Sequence, residues 1–228
     1  MVSVVIAVYR GEKYLRQQLE SVLSQLKSDD EVIISDDDIN GETYNSVKDI
    51  VENDKRIRYV EGPSKGVIKN FEYAIGLTKG NVIFLCDQDD VWLDGKVEIC
   101  CRELSSCSDL VLHNAQIVDS DLKPEERTAF EANKSNTGIF RNIVKNSYQG
   151  SCMAFTSYLK KYILPFPENI PMHDQWIGLV GEKYGRVSLI DTPYILYRRH
   201  DATVTGKGST FSQKLKWRFS ILKCLLGR

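Results

Sequence analysis

The strongest constraint on this chain is an apolar run that stops abruptly on carboxylates. Residues 82–86 (VIFLC) are short and continuously apolar, the pattern of a strand buried on both faces of a parallel sheet. Asp87, Gln88, Asp89 and Asp90 follow at once. Three carboxylates in four residues repel one another, and the end of a buried strand is a costly place to leave them bare. A divalent cation, with its preference for oxygen ligands, would relieve the repulsion and could bridge to phosphate oxygens of a substrate. The competing reading is a solvated acidic turn that caps the helix after it.

The same event recurs along the first half. Residues 2–8 (VSVVIAV) predict a first buried strand that turns at Tyr9-Arg10-Gly11. Residues 31–35 predict a second, closed by Asp36-Asp37-Asp38, and residues 57–60 a third. Between them, apolar residues at helical spacing predict helices over 12–25 (Leu15, Leu19, Val22, Leu23, Leu26), 43–53 (Val47, Ile50, Val51) and 69–78 (Phe71, Ala74, Ile75). Strands alternating with helices imply βαβ units, right-handed crossovers and an α/β fold with a mainly parallel central sheet flanked by helices. Ligands of such sheets lie outside the carboxyl ends of the strands. Ala7-Val8-Tyr9, the acids at 36–38 and those at 87–90 all fall at such ends, which predicts a nucleotide site there. The chain has no GxGxxG and no GxxxxGK[ST], which argues against a dinucleotide dehydrogenase and an ATPase.

The second half is less regular. The pattern predicts a strand at 110–113, a polar mobile loop at 120–136, a helix at 138–146 and a strand at 152–155. A short helix at 159–164 ends at Pro165, and an amphipathic helix opens at His173-Asp174-Gln175-Trp176. Two strands, 187–190 and 194–197, lead to Arg198-Arg199-His200. No linker separates the halves. A single domain is expected over residues 1–205, with 1–113 as the nucleotide-binding half and 114–205 as the acceptor-side half, followed by a distinct segment at 206–228.

That last segment is set apart by charge. From Ala202 to Arg228 there are six basic residues and no acid, so residues 1–201 carry −7 against −1 for the whole chain. Phe211, Leu215, Phe219, Leu222 and Leu226 recur at helical spacing, widened by Trp217, Ile221 and Leu225. A basic amphipathic helix of this kind suits contact with the inner face of a membrane, and equally suits packing on the domain. No apolar run reaches the roughly 18 residues of a membrane span. Charged residues from Arg10 onward cut the first run too short for a secretory signal, so a cytoplasmic protein is expected. The six cysteines lack zinc-site spacing and read as reduced thiols. An acidic body with one short basic tail argues against nucleic-acid binding.

Taken in order, VSVVIAVYRGEKYLRQQLESVLSQ, EVIISDDD, GVIKNFEYAIGLTKG, FLCDQDDVW, HDQW and YRRH resemble the family-2 glycosyltransferases, inverting enzymes of the GT-A fold that use nucleotide-diphospho-sugars. The likeness covers residues 1–205. The forms DQDDVW, HDQW and YRRHDATVTG are most similar to bacterial rhamnosyltransferase-type members that assemble surface polysaccharides. The resemblance implies that Ala7, Tyr9 and Asp37 contact the base and ribose of the donor, with Lys69 and Asn70 in the same pocket. It implies that Asp87, Asp89 and Asp90 form the acidic motif, Asp89 and Asp90 holding Mg2+ or Mn2+ against the diphosphate. It implies Asp174 as general base and His200 near the diphosphate or metal. The usual DDGS after the second strand is here Asp37-Asp38-Ile39-Asn40, which puts the shape of the ribose-side loop in doubt.

An ionised carboxylate can take the acceptor's proton in inverting transfer, and Asp174 suits that role, although Asp is also a common helix cap. Arg198 or Arg199 could pair with diphosphate oxygens, but as alternating strand residues only one can face the site. Trp92 and Trp176 read as core residues more readily than as sugar platforms, Trp176 being the better platform candidate because it lies two residues after Asp174, and His113 reads as structural. The implied activity is transfer of a sugar, such as L-rhamnose from dTDP-rhamnose, to a glycan or lipid-linked acceptor. The alternatives are a UDP-hexose or UDP-N-acetylhexosamine transferase, and a nucleotide-sugar-binding module without catalysis.

Overall fold

Strand β1, Val2–Val8, is buried at every position except the half-buried Ala7, as a central strand must be. We analysed a computed structural model, which describes residues 1–199 and 210–227. β1 pairs in parallel with β2 (Glu31–Asp36) on one side and β4 (Val82–Asp87) on the other, and β2 pairs in parallel with β3 (Ile57–Glu61). Helices α1 (Leu15–Leu23), α2 (Thr43–Asn53) and α3 (Val67–Leu77) make the crossovers. α1 buries Leu15, Leu19 and Val22, and α3 buries Phe71, Ala74 and Ile75, the apolar faces that the spacing marks out.

The sheet continues as β3-β2-β1-β4-β8-β6-β9-β5, with β7 attached to β6. Here β5 is Val91–Trp92, β6 Leu110–Val118, β7 Pro124–Thr128, β8 Met153–Thr156 and β9 Val187–Arg198. The first four strands in space are parallel. Beyond β4 the sheet is mixed, antiparallel at β4–β8, β8–β6, β6–β7 and β9–β5, and parallel at β6–β9. Helices α4 (Lys96–Ser106), α5 (Ala129–Asn133), α6 (Ile139–Val144), α7 (Ser157–Ile163), α8 (His173–Tyr184) and α9 (Phe211–Leu226) complete the described chain.

Two expectations about elements are corrected, and one element was missed. Residues 120–136 are not a featureless loop but contain β7 and α5. The strand PEERT is almost wholly exposed, so it carries no apolar signature. The visible signal was the capping box at Thr128 and Glu131 that starts α5. The strands expected at 187–190 and 194–197 are one, β9, whose register against β6 shifts near Pro193. Pro193 has no N–H to give, and the Asn114 side chain bonds Asp191 O there at 3.0 Å. The two-residue β5 was not anticipated, and it ties the acidic turn to β9.

The six cysteines are free thiols. Among the described residues, no helix is long and apolar enough to cross a membrane.

Candidate active site

Asp87 ends β4, half-buried and in register with Ala7 of β1. The next residue pins two strand ends together. The Gln88 side-chain amide accepts from Tyr9 N at 2.8 Å and donates to Tyr9 O at 3.1 Å. Gly11 is required beside it, because a Cβ there would lie 2.9 Å from Gln88 Oε1 and 3.0 Å from Val8 Cγ1. The acidic turn and the Tyr9–Gly11 turn are therefore one unit, which the sequence did not announce.

Asp90 lies beneath the turn, not on its open side. It is fully buried, its Oδ1 accepts from Arg198 N at 3.1 Å, and its Oδ2 is buried without a hydrogen-bond partner. Burial first, then the charges of Asp89 and Asp87, push its carboxyl well above the usual range. Asp90, expected as a metal ligand, is thus sealed beneath the turn, with no face reaching solvent. Arg198 is enclosed as well. Only 3% exposed, it donates from Nε to Asp89 O (2.8 Å), from Nη1 to Ser120 O (2.6 Å) and from Nη2 to Gln17 Oε1 (2.8 Å), and it lies over the Tyr14 ring. Its guanidinium clasps the acidic turn. Arg199 is exposed, 3.7 Å from Glu125.

A buried cation supports the turn from below. Lys96 is fully buried, donates to Ser151 O at 2.8 Å and sits 4.0 Å from the Trp92 ring centroid. Burial lowers its pKa, and the surrounding thiols and Asp90 counter that shift. It shares the inner face of α4 with Cys100 and Leu104. A lysine in phase with core residues was the available signal.

Near the acidic turn, α8 presents Asp174 in its first turn. Asp174 Oδ1 accepts from Asn146 Nδ2 at 3.0 Å and from Gln175 N at 2.5 Å. Burial pushes its carboxyl up to about 7 against those bonds and one from the Gly150 backbone. Asp174 and Asp87 are close enough to interact: burial, then the charges of Asp89 and Asp174, push Asp87 up to about 7 as well. His173 fixes the helix start. It stacks on Phe71 with centroids 4.0 Å apart, and a Cβ on Gly150 would lie 2.7 Å from its Nε2. Burial drops its pKa to about 3, so it is neutral. Trp176 is fully buried and donates to Ile163 O, a core residue as expected.

On the nucleotide side, Asp37 N donates to Val8 O, while its Oδ1 and Oδ2 accept from Ser64 N and Gly66 N, each at 3.0 Å. The carboxylate thus shapes the 62–66 loop and keeps lone pairs to spare. Tyr9 is 55% exposed beside it. The two residues expected in the same pocket, Asn70 and Lys69, have protein partners. Asn70 is buried and donates to Val8 O and Ser35 O, bracing the ends of β1 and β2. Lys69 pairs with Glu72 on its own helix at 2.5 Å. His200 lies outside the described residues.

The family described as glycosyl transferase family 2 matches residues 3–163. The chain belongs to glycosyl transferase family 2. Its curated relatives include the chondroitin synthase of Escherichia coli, 32% identical over 103 residues (45% of this chain, 15% of the relative). An uncharacterised glycosyltransferase of Nostoc sp. is 29% identical over 165 residues (69% of this chain, 49% of the relative). This chain thus spans half or less of these two relatives. Another uncharacterised glycosyltransferase, from Methanocaldococcus jannaschii, is 26% identical over 215 residues (87% and 70%). The crystal structure of S. aureus TarS residues 1–349 in complex with UDP-GlcNAc superimposes with a TM-score of 0.74 at 17% identity, covering 97% of this chain and 66% of that one. The α/β fold is therefore the GT-A fold of the family-2 enzymes.

In this family-2 chain the donor set suits Mg2+ or Mn2+, which bind through one or two carboxylates and take their remaining ligands from substrate phosphates and water. Asp89 and Asp87 are the acids of the turn that are not sealed in. Among the described residues, no group of three or more His, Cys, Asp or Glu forms a ready cage.

Proposed function

We propose that the chain is an inverting glycosyltransferase that moves a sugar from a nucleotide-diphospho-sugar to a hydroxyl of a glycan or lipid-linked acceptor. The observation that carries this reading is the proximity of Asp174 to the acidic turn at the strand ends, close enough for its charge to raise the proton affinity of Asp87. Asp174, held by Asn146, accepts the acceptor's hydroxyl proton as that oxygen bonds to the anomeric carbon. The bond from that carbon to the phosphate oxygen breaks, and the nucleoside diphosphate leaves with the electron pair. Mg2+ or Mn2+, held by Asp89 with Asp87, would supply charge neutralisation for that leaving group. Tyr9 and Asp37, with Ala7 at the pocket floor, line the side that takes the base and ribose.

For the donor we favour a UDP-linked hexose or N-acetylhexosamine over dTDP-rhamnose. TarS, whose fold this chain shares, is described with UDP-GlcNAc, and the matching curated relatives include chondroitin and hyaluronan synthases. A thermal-shift panel of UDP, dTDP, GDP and CDP, each with and without Mn2+, tests both parts. A ligand at about 100 times its dissociation constant stabilises by about 2.7 kcal/mol. A metal-dependent shift with UDP that is lost in Asp89→Asn is expected. A shift with dTDP alone would restore the rhamnose reading. No shift with any nucleotide would sink the proposal.

A further inference from the structure

Two segments far apart in sequence, in contact in the fold, each expose large apolar side chains. α6 presents Phe140 (85% exposed) and Val144 (65%), one turn apart. α9 presents Leu215, Phe219 (71%), Leu222 and Leu226 (83%). The helices touch, with Arg218 Nη2 donating to Val144 O at 2.8 Å. α9 therefore does not choose between packing and exposure. Ile221 and Leu225 are buried against the domain, while the neighbouring stripe is open.

Charge says what the face fits. Residues 132–147 contain Lys134, Arg141 and Lys145 and no acid. Residues 210–227 contain Lys214, Lys216, Arg218 and Lys223 and no acid. Neither segment carries a carboxylate, in a chain that has 31. Such a face matches a surface that is anionic and has an apolar layer beneath. Between the helices runs a groove of about 270 Å3, walled by Val144, Trp217 and Ile221, which reaches Asn146 and Gln175. Asn146 is the residue that holds Asp174.

We propose that α6 and α9 together form a docking face for an anionic lipid bilayer, and that the groove between them leads from that surface toward Asp174. The route to Asp174 rests on the functional reading above and selects a lipid-linked acceptor. The docking itself does not depend on that reading.

The test is co-sedimentation of the full chain with vesicles of phosphatidylcholine, alone or mixed with phosphatidylglycerol. Binding is expected only to the mixed vesicles and should weaken as salt rises. Phe140→Ser and Phe219→Ser should each cut the partition about tenfold, the effect of withdrawing one partly buried aromatic from the lipid. Both variants should keep the nucleotide-dependent thermal shift, which shows that they fold. Equal binding to both vesicle types, or to neither, would overturn the proposal. So would an unaffected Phe140→Ser, which would leave α9 acting alone. Self-association of the native chain that Phe219→Ser abolishes, without vesicle binding, would make the face a contact between copies instead. Vesicle binding requires no nucleotide and the thermal shift requires no vesicle, so this idea and the transferase reading fail separately.

Discussion

Asp174 is a carboxyl that folding makes harder to ionise, and this has opposite effects on rate and stability. As a base it must be deprotonated. With its pKa raised to about 7, turnover should rise with pH to a plateau, with a midpoint at or below about 7 once a cation is bound nearby. Removing the Asn146 hydrogen bond withdraws support from the ionised form. Asn146→Ala should therefore move the midpoint to higher pH; an unmoved midpoint would deny Asn146 that role. Asp174→Asn should lower turnover by roughly 100- to 10,000-fold while sparing the nucleotide-dependent thermal shift. It should also raise the melting temperature. The folded pKa lies above the unfolded one, so the carboxyl opposes folding progressively as pH rises from about 4 to about 7, and fully above that. The gain from Asn should follow the same course and vanish below about pH 4. A gain independent of pH would show that the stability cost does not come from ionisation.

At the scale of elements, the acidic turn is clasped by parts of the chain distant in sequence. Arg198 at the end of β9 bonds the backbone of Asp89, the backbone of Ser120 and the side chain of Gln17. Arg198→Met would leave buried carbonyls unpaired and should cost on the order of 3 kcal/mol, measured by urea unfolding. It should also weaken nucleotide-dependent stabilisation. An intact nucleotide shift would place the clasp outside the site's workings. The helix carrying the base is set just as closely. Gly150→Ala would drive a methyl group against His173 Nε2, displace the start of α8 and reduce turnover more than donor affinity. These examples also divide what was legible in the sequence from what was not. Strand ends were legible, because buried parallel strands are apolar runs and their polar stops stand out, as at Asp36–Asp38 and Asp87–Asp90. The placement of Asp174 in the first turn of a helix was legible from HDQW. The side-chain orientations of Asp90, Asn70 and Arg198 were not. Whether a polar group at a strand end faces ligand or brace depends on tertiary partners such as the backbone of Arg198 and the carbonyls of Val8 and Ser35. β7 escaped notice because an exposed edge strand has no apolar alternation to reveal it.

For the whole molecule, the sheet divides the labour. The parallel β3-β2-β1-β4 side brings Tyr9, Asp37 and Asp87 to its carboxyl edge, the proposed nucleotide side, and the mixed β8-β6-β9-β5 side carries the clasp. The helices beyond it hold Asp174 and the α6–α9 face. Lys96 lies under the junction, its ammonium against the Trp92 ring, its charge felt by Asp87 and its own proton affinity raised by Asp90. An indole's excited state responds to the electric field across its ring, which makes Trp92 a native optical probe of the charge above it. Binding of Mg2+ and a nucleoside diphosphate should shift the emission of the native protein, and Trp92→Phe should abolish that change while leaving the signals of Trp176 and Trp217. The protein would then report its own loading without a label, in real time and at the concentrations at which it turns over.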